Sequence, residues 1–136
     1  MGRIIAQVTV GNPFEPEREI RFDALVDTGS AFTVLPTAWK DRLGKLPSVQ
    51  MVEVETADQR PVAAEVCGPV RIQIEGFRPV FSEVAFLEMH PSDGTYEPVV
   101  GYISLEQAGI AVDLLGHRLV KAKPLDLKAC RGKGKR

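Results

Sequence analysis

The segment Ala24-Leu25-Val26-Asp27-Thr28-Gly29-Ser30-Ala31-Phe32-Thr33-Val34-Leu35-Pro36 constrains this chain more than any other. It sets one carboxylate between two apolar runs. A carboxylate enclosed by buried strands costs several kcal/mol unless it is hydrogen-bonded, paired or neutralised. Thr28 and Gly29 offer a remedy directly after Asp27: a tight turn whose hydroxyl and backbone N–H groups hold the acid in place.

The flanking residues predict strands on both sides of that turn. Ile4, Ala6, Val8 and Val10 alternate with Arg3, Gln7 and Thr9, the pattern of a half-buried strand. Gly11-Asn12-Pro13 breaks it, and a polar loop runs to Glu17. Ile20, Phe22, Ala24 and Val26 then alternate with Arg21 and Asp23, so the two runs form a hairpin that enters the interior just before Asp27. Thr33-Val34-Leu35 predicts a short strand ended by Pro36. Thr37 is placed to cap a brief helix over Ala38–Leu43, stopped by Gly44. Trp39 and Leu43 share one face of that helix, and Trp39 is assigned to the core in preference to a substrate wall.

Further along, residues 49–56 and Val62–Val66 predict a long hairpin with a polar tip, Ala57-Asp58-Gln59-Arg60-Pro61. The tip reads either as an exposed turn or as a mobile arm over a cleft. Gly68-Pro69 predicts a corner, followed by a strand over residues 70–75, a turn at Glu75-Gly76 and a strand region Phe77–Leu87 whose Pro79 belongs at its start or on an edge. Residues 88–97 form a loop in which His90 has no catalytic partner nearby. Pro98-Val99-Val100-Gly101 is a short buried strand. Ser104-Leu105-Glu106-Gln107 has the form of a capping box, which predicts a helix starting at Ser104 and ending at Gly109. Ile110–Leu114 and His117–Val120 complete the strands. Many short strands, close turn signals and two short helices make an all-β, barrel-like fold.

Composition narrows the function. The chain has 136 residues, enough for one domain, which we place at 1–122, with 123–136 as a basic, disordered tail. Residues 1–127 carry 12 basic against 18 acidic side chains, so no nucleic-acid partner is expected for this acidic body. No run approaches the ~20 apolar residues of a membrane span, and the first residues lack a signal-peptide layout. Cys67 and Cys130 do not make a disulfide framework, and their free thiols suit a reducing, cytoplasmic setting. With only His90 and His117 besides, no spacing resembles a zinc site, and no metal or cofactor is expected. Gly-rich phosphate loops and serine-nucleophile motifs are absent.

Leu25-Val26-Asp27-Thr28-Gly29-Ser30 resembles the catalytic signature of aspartic peptidases, and Val99-Val100-Gly101 with its following helix resembles their second landmark. The hairpin tipped at Ala57–Pro61 lies between the two, where retroviral-type members carry a flap. The resemblance is to the single-domain, retropepsin-like branch over residues 3–122, and it implies a closed barrel with one or two short helices. Such enzymes use two carboxylates that share one proton. This chain has one Asp-Thr-Gly, since Asp93-Gly94 sits in a polar loop and is no second copy. The resemblance therefore implies a homodimer in which Asp27 of each subunit faces the other across a two-fold axis.

Roles follow from the same resemblance. Asp27 is the shared acid and base. Thr28 supports the loop through a bond across the axis, and Gly29 lets substrate backbone approach. Ser30 bonds the outer oxygen of Asp27 or lines the pocket, and Gly101 supports the loop from beneath. Ala57, Asp58, Gln59 and Arg60 close over an extended polypeptide substrate. Retroviral members place an Asp shortly after the motif and a pairing Arg after the second glycine; Ala31 and Tyr102 stand there here. Two other readings remain: a catalytically silent retropepsin-like binding or dimerisation module, and an unrelated small β-barrel with an incidental turn.

Overall fold

Period-two burial shapes nearly every strand of this protein. The structure, a computed structural model, describes residues 3–55 and 59–122. In chain order the strands are β1 (Ile5–Asn12), β2 (Glu15–Val26), β3 (Thr33–Pro36), β4 (Ser48–Glu55), β5 (Pro61–Ile74), β6 (Val80–Leu87), β7 (Val99–Val100), β8 (Ile110–Asp113) and β9 (Arg118–Lys121). A 3-10 helix, Thr37–Leu43, follows β3, and helix α1, Tyr102–Gln107, follows β7.

Seven strands pair in the order β1-β2-β7-β3-β6-β5-β4, and a further pairing of β1 with β5 closes six of them into a ring. β5 is long enough to pair twice along one edge. Pro61–Gly68 face β4, and Arg71–Ile74 face β1. β8 and β9 form a separate antiparallel pair. The all-β expectation with two short helices holds.

The inward faces of β1 (Ala6, Val8, Val10), β2 (Ile20, Phe22, Ala24), β5 (Val70, Ile72, Ile74) and β6 (Val80, Val84, Phe86) fill the main core. A second, smaller cluster gathers Ala64, Val66 and Ala85 on the other side of the sheet. β5 contributes to both because its pairing with β6 shifts register between Cys67 and Val70. One extra residue there reverses which side chains face which layer. This corrects the expected corner at Gly68-Pro69. The chain continues as one strand through a bulge, and a proline is tolerated where the ladder is already interrupted.

Other expectations shift for local reasons. The predicted loop from Gly11 to Glu17 shrinks to Pro13-Phe14, because Asn12 is buried and takes over the turn. Its Nδ2 donates to the carbonyls of Leu43 (2.8 Å) and Lys45 (3.1 Å), and its Oδ1 accepts from Phe14 N–H at 2.8 Å. Thr37 does not cap the 3-10 helix. It is the first helical residue, and Pro36 precedes it without a side-chain cap bond. Trp39 packs on the core, with its ring centroid 5.4 Å from that of Phe22 and 5.9 Å from that of Tyr96. Through Tyr96 it holds the long loop that leads to β7. No helix among the described residues is long and apolar enough to cross a membrane.

Candidate active site

β7 is two residues long, yet it lies between β2 and β3 and bonds to both. Leu25 and Val26 pair parallel with Val99 and Val100, while Val34 pairs antiparallel with Val99. The Asp27–Phe32 loop therefore leaves one side of β7 and returns on the other. Asp27 N–H donates to the Val100 carbonyl at 3.0 Å. The loop then closes on itself: Gly29 N–H donates to Asp27 Oδ1 at 2.9 Å, and Ser30 N–H to the Asp27 carbonyl at 3.1 Å. The carboxylate is half-buried and held by a backbone amide, as expected of an acid in this setting.

Helix α1 supports the loop from the other side. Tyr102 N–H donates to the Ser30 carbonyl at 2.7 Å and Ile103 N–H to the Ala31 carbonyl at 3.3 Å. These helix-start donors lack partners within the helix, so the loop satisfies them. Gly101 is where the two segments touch. A Cβ built there would lie 2.6 Å from the Ser30 carbonyl oxygen and would overlap the Phe32 carbonyl, so no larger residue fits. The expected capping box at Ser104 is wrong. The helix starts at Tyr102 with Gly101 preceding it, and Ser104 is a buried residue of its interior turn.

A cleft of about 650 Å³ opens beside the loop. Asp27, Gly29 and Ser30 line it, with Phe32, Val34, Val54, Ala85, Leu87, Met89 and Val99 among the apolar walls. These walls follow from strand parity. In β3, Thr33 and Leu35 face the core and Val34 faces the cleft. In β6, Ala85 and Leu87 face the cleft between Val84 and Phe86. The sequence reading did not single out these walls, although the alternation that locates them is present in β3 and β6.

Of the expected site residues, the structure brings Asp27, Gly29 and Ser30 together at the cleft and sets Gly101 against the loop. Ser30 Oγ donates to the Phe32 carbonyl at 2.9 Å, so its hydroxyl braces the turn while the residue lines the cleft. Thr28 is exposed at the loop's apex. Gln59 and Arg60 are exposed at the base of the β4–β5 tip and are not among the residues lining the cleft, and Ala57 and Asp58 lie outside the described residues. Among the described residues, no three His, Cys, Asp or Glu side chains gather as a metal site.

A model of the aspartyl protease family matches residues 6–101, a span that holds both the Asp27 loop and Gly101. The chain belongs to the aspartyl protease family. Among solved structures it is similar to EIAV protease complexed with the inhibitor HBY-793, with a TM-score of 0.57 and 19% identity over 79% of this chain and 89% of that one. At that identity the likeness establishes the fold, which is that of a retroviral protease. No curated protein matches the chain. As a member of that family it carries its single Asp-Thr-Gly on the loop that straddles β7, with an apolar cleft alongside.

Proposed function

We propose that this aspartyl protease is an endopeptidase that works as a homodimer, with Asp27 of each subunit forming one carboxylate pair. One observation carries the reading: Asp27 is the sole acidic side chain among the described residues that line the cleft. Proton sharing between two carboxylates needs a second one of the same kind, and a second copy of the chain supplies it.

The chemistry then uses one ionised and one protonated Asp27. The ionised carboxylate takes a proton from water as the water oxygen attacks the scissile carbonyl carbon. The protonated partner donates to the carbonyl oxygen as negative charge develops there. The tetrahedral intermediate collapses by breaking its C–N bond. The leaving nitrogen takes a proton from one carboxyl while a hydroxyl of the intermediate returns a proton to the other carboxylate, so the new acid is released and the pair regains its single shared proton. Gly29 lets the substrate backbone approach the carboxylates. Thr28 bonds across the axis, and the β4–β5 tip covers the bound peptide. The catalytic domain spans residues 1–122, and the cysteines suit the cytoplasm.

The test combines solution mass with cleavage of an apolar-rich peptide library at acidic and neutral pH. A dimer whose cleavage is blocked by pepstatin and lost in Asp27→Asn is the expected result. A strictly monomeric protein would overturn the proposal. A dimer that binds peptides without cutting them would assign the silent binding module instead.

A further inference from the structure

Three polar side chains are fully buried among the described residues: Asn12, Thr33 and Ser104. Asn12 is accounted for by the turn it closes far from the cleft. Thr33 and Ser104 lie 71 positions apart in sequence and meet beneath the Asp27 loop, with 3.1 Å between their hydroxyl oxygens. Thr33 is fully buried and Ser104 is 2% exposed, so each hydroxyl depends on protein partners.

The bond that matters most is a second one, at Thr33. Gly101 N–H donates to Thr33 Oγ1 at 3.3 Å. Gly101 N–H belongs to the same peptide group as the Val100 carbonyl, which accepts from Asp27 N–H at 3.0 Å. The C=O and N–H of a trans peptide point in opposite directions. This single plane therefore holds the Asp27 backbone at one end and is itself held by Thr33 at the other. Ser104 Oγ shares a hydrogen bond with Thr33 Oγ1, in which either hydroxyl can donate, and as part of α1 it ties Thr33 to the helix that holds Ser30 and Ala31.

We infer that Thr33 and Ser104 are positioning residues for Asp27, a hydroxyl pair that sets the tilt of the Val100–Gly101 peptide and through it the height of the carboxylate. Neither residue lines the cleft, so neither touches substrate. Two carboxylates that share a proton tolerate little displacement, and small misplacements are amplified in rate. Valine in place of Thr33 keeps the shape and removes the acceptor, which strands a buried N–H.

The kinetic part of this inference rests on the peptidase reading; the backbone part does not. The experiment compares Thr33→Val, Ser104→Ala, Thr33→Ser and Asn12→Ala by amide hydrogen exchange and by steady-state cleavage. Loss of the hydroxyl pair is expected to speed exchange at the Asp27 amide by about tenfold or more in Thr33→Val and Ser104→Ala. In the same two variants kcat falls by about tenfold while KM stays within about twofold. Thr33→Ser restores both. Asn12→Ala lowers the melting temperature and changes neither.

Asp27 exchange within twofold of the unmodified protein in both hydroxyl-less variants would overturn the inference. So would equal acceleration in Asn12→Ala, or faster exchange with unchanged kcat. If the unmodified dimer cleaves nothing, the peptidase reading fails and the exchange result alone decides the positioning role. Ser104→Ala, which removes only one oxygen, keeps the comparison available if Thr33→Val does not fold.

Discussion

At the scale of single residues, Asp27 and Gly101 carry opposite expectations. Asp27→Asn retains the Oδ1 that accepts from Gly29 N–H and removes the charge. In the proposed dimer it also removes like-charge repulsion across the axis. We expect peptide cleavage to fall to background and the melting temperature at neutral pH to hold or rise; a large fall in melting temperature would contradict the placement. Gly101→Ala pushes a methyl group into the Ser30 and Phe32 carbonyls. Overpacking of this severity costs about 3 kcal/mol or more, read as a lowered denaturation midpoint. Asp27 and Gly101 were both legible in the sequence, because each sits in a short motif with an evident physical need. Thr33 and Ser104 were not. Ser104 precedes Gln107 by three residues, so its local pattern mimics a cap, while its real partner lies 71 positions away.

At the scale of elements, alternation located most strands but not their continuity. The pattern of β5 breaks at Gly68-Pro69, and in one dimension a break from a bulge looks like a break from a corner. Only the β6 partner, which runs past the bulge, tells them apart. The cleft walls escaped notice for a related reason. Alternation assigns residues to two faces without saying which face meets solvent, core or cleft. The β4–β5 arm reaches the cleft through Val54 and Ala64. Its proposed role in gripping substrate predicts that Val54→Asp raises KM for an apolar peptide by about tenfold or more, the loss expected from one buried valine contact. Steady-state kinetics with a matched polar peptide serves as the control. An unchanged KM would remove this arm from the binding surface.

At the scale of the whole molecule, alkaline pH should weaken the fold through two titrating groups, Cys67 and Lys40. Burial pushes the Cys67 thiol above its ordinary value of 9.0, with the nearby Glu65 carboxylate adding to the shift. The hydrogen bond to Glu65, an ion pair of 2.7 Å, raises Lys40 above its ordinary 10.5. Both groups hold their protons longer when folded than when unfolded. Their stabilisation is complete below the unfolded values and is lost as pH rises through the folded ones. Denaturation midpoints under reducing conditions should therefore begin to fall above about pH 9, with a slope of at most ~1.4 kcal/mol per pH unit for the thiol. Cys67→Ala should remove that first phase and leave the later lysine phase. The proposed dimer adds a second dependence: the melting temperature should climb with protein concentration, and calorimetry at two concentrations a hundredfold apart would show it. A constant melting temperature would speak against a dimer that dissociates on unfolding.

The position of β7 between β2 and β3 also bears on when the site comes into being. Asp27 is made early, but the carbonyl that holds its amide belongs to Val100, and the Thr33 hydroxyl waits for the Gly101 amide, 68 positions further on. Contacts this distant in sequence form late, because the loop between them must close first. On the ribosome the Asp27 turn lacks this support until Val100 and Gly101 have emerged. Nascent chains arrested before Val99 should leave the Asp27 amide unprotected, whereas release past Gln107 should protect it. The order of the chain thus delays the final geometry of the Asp27 loop until β7 and α1 have been made.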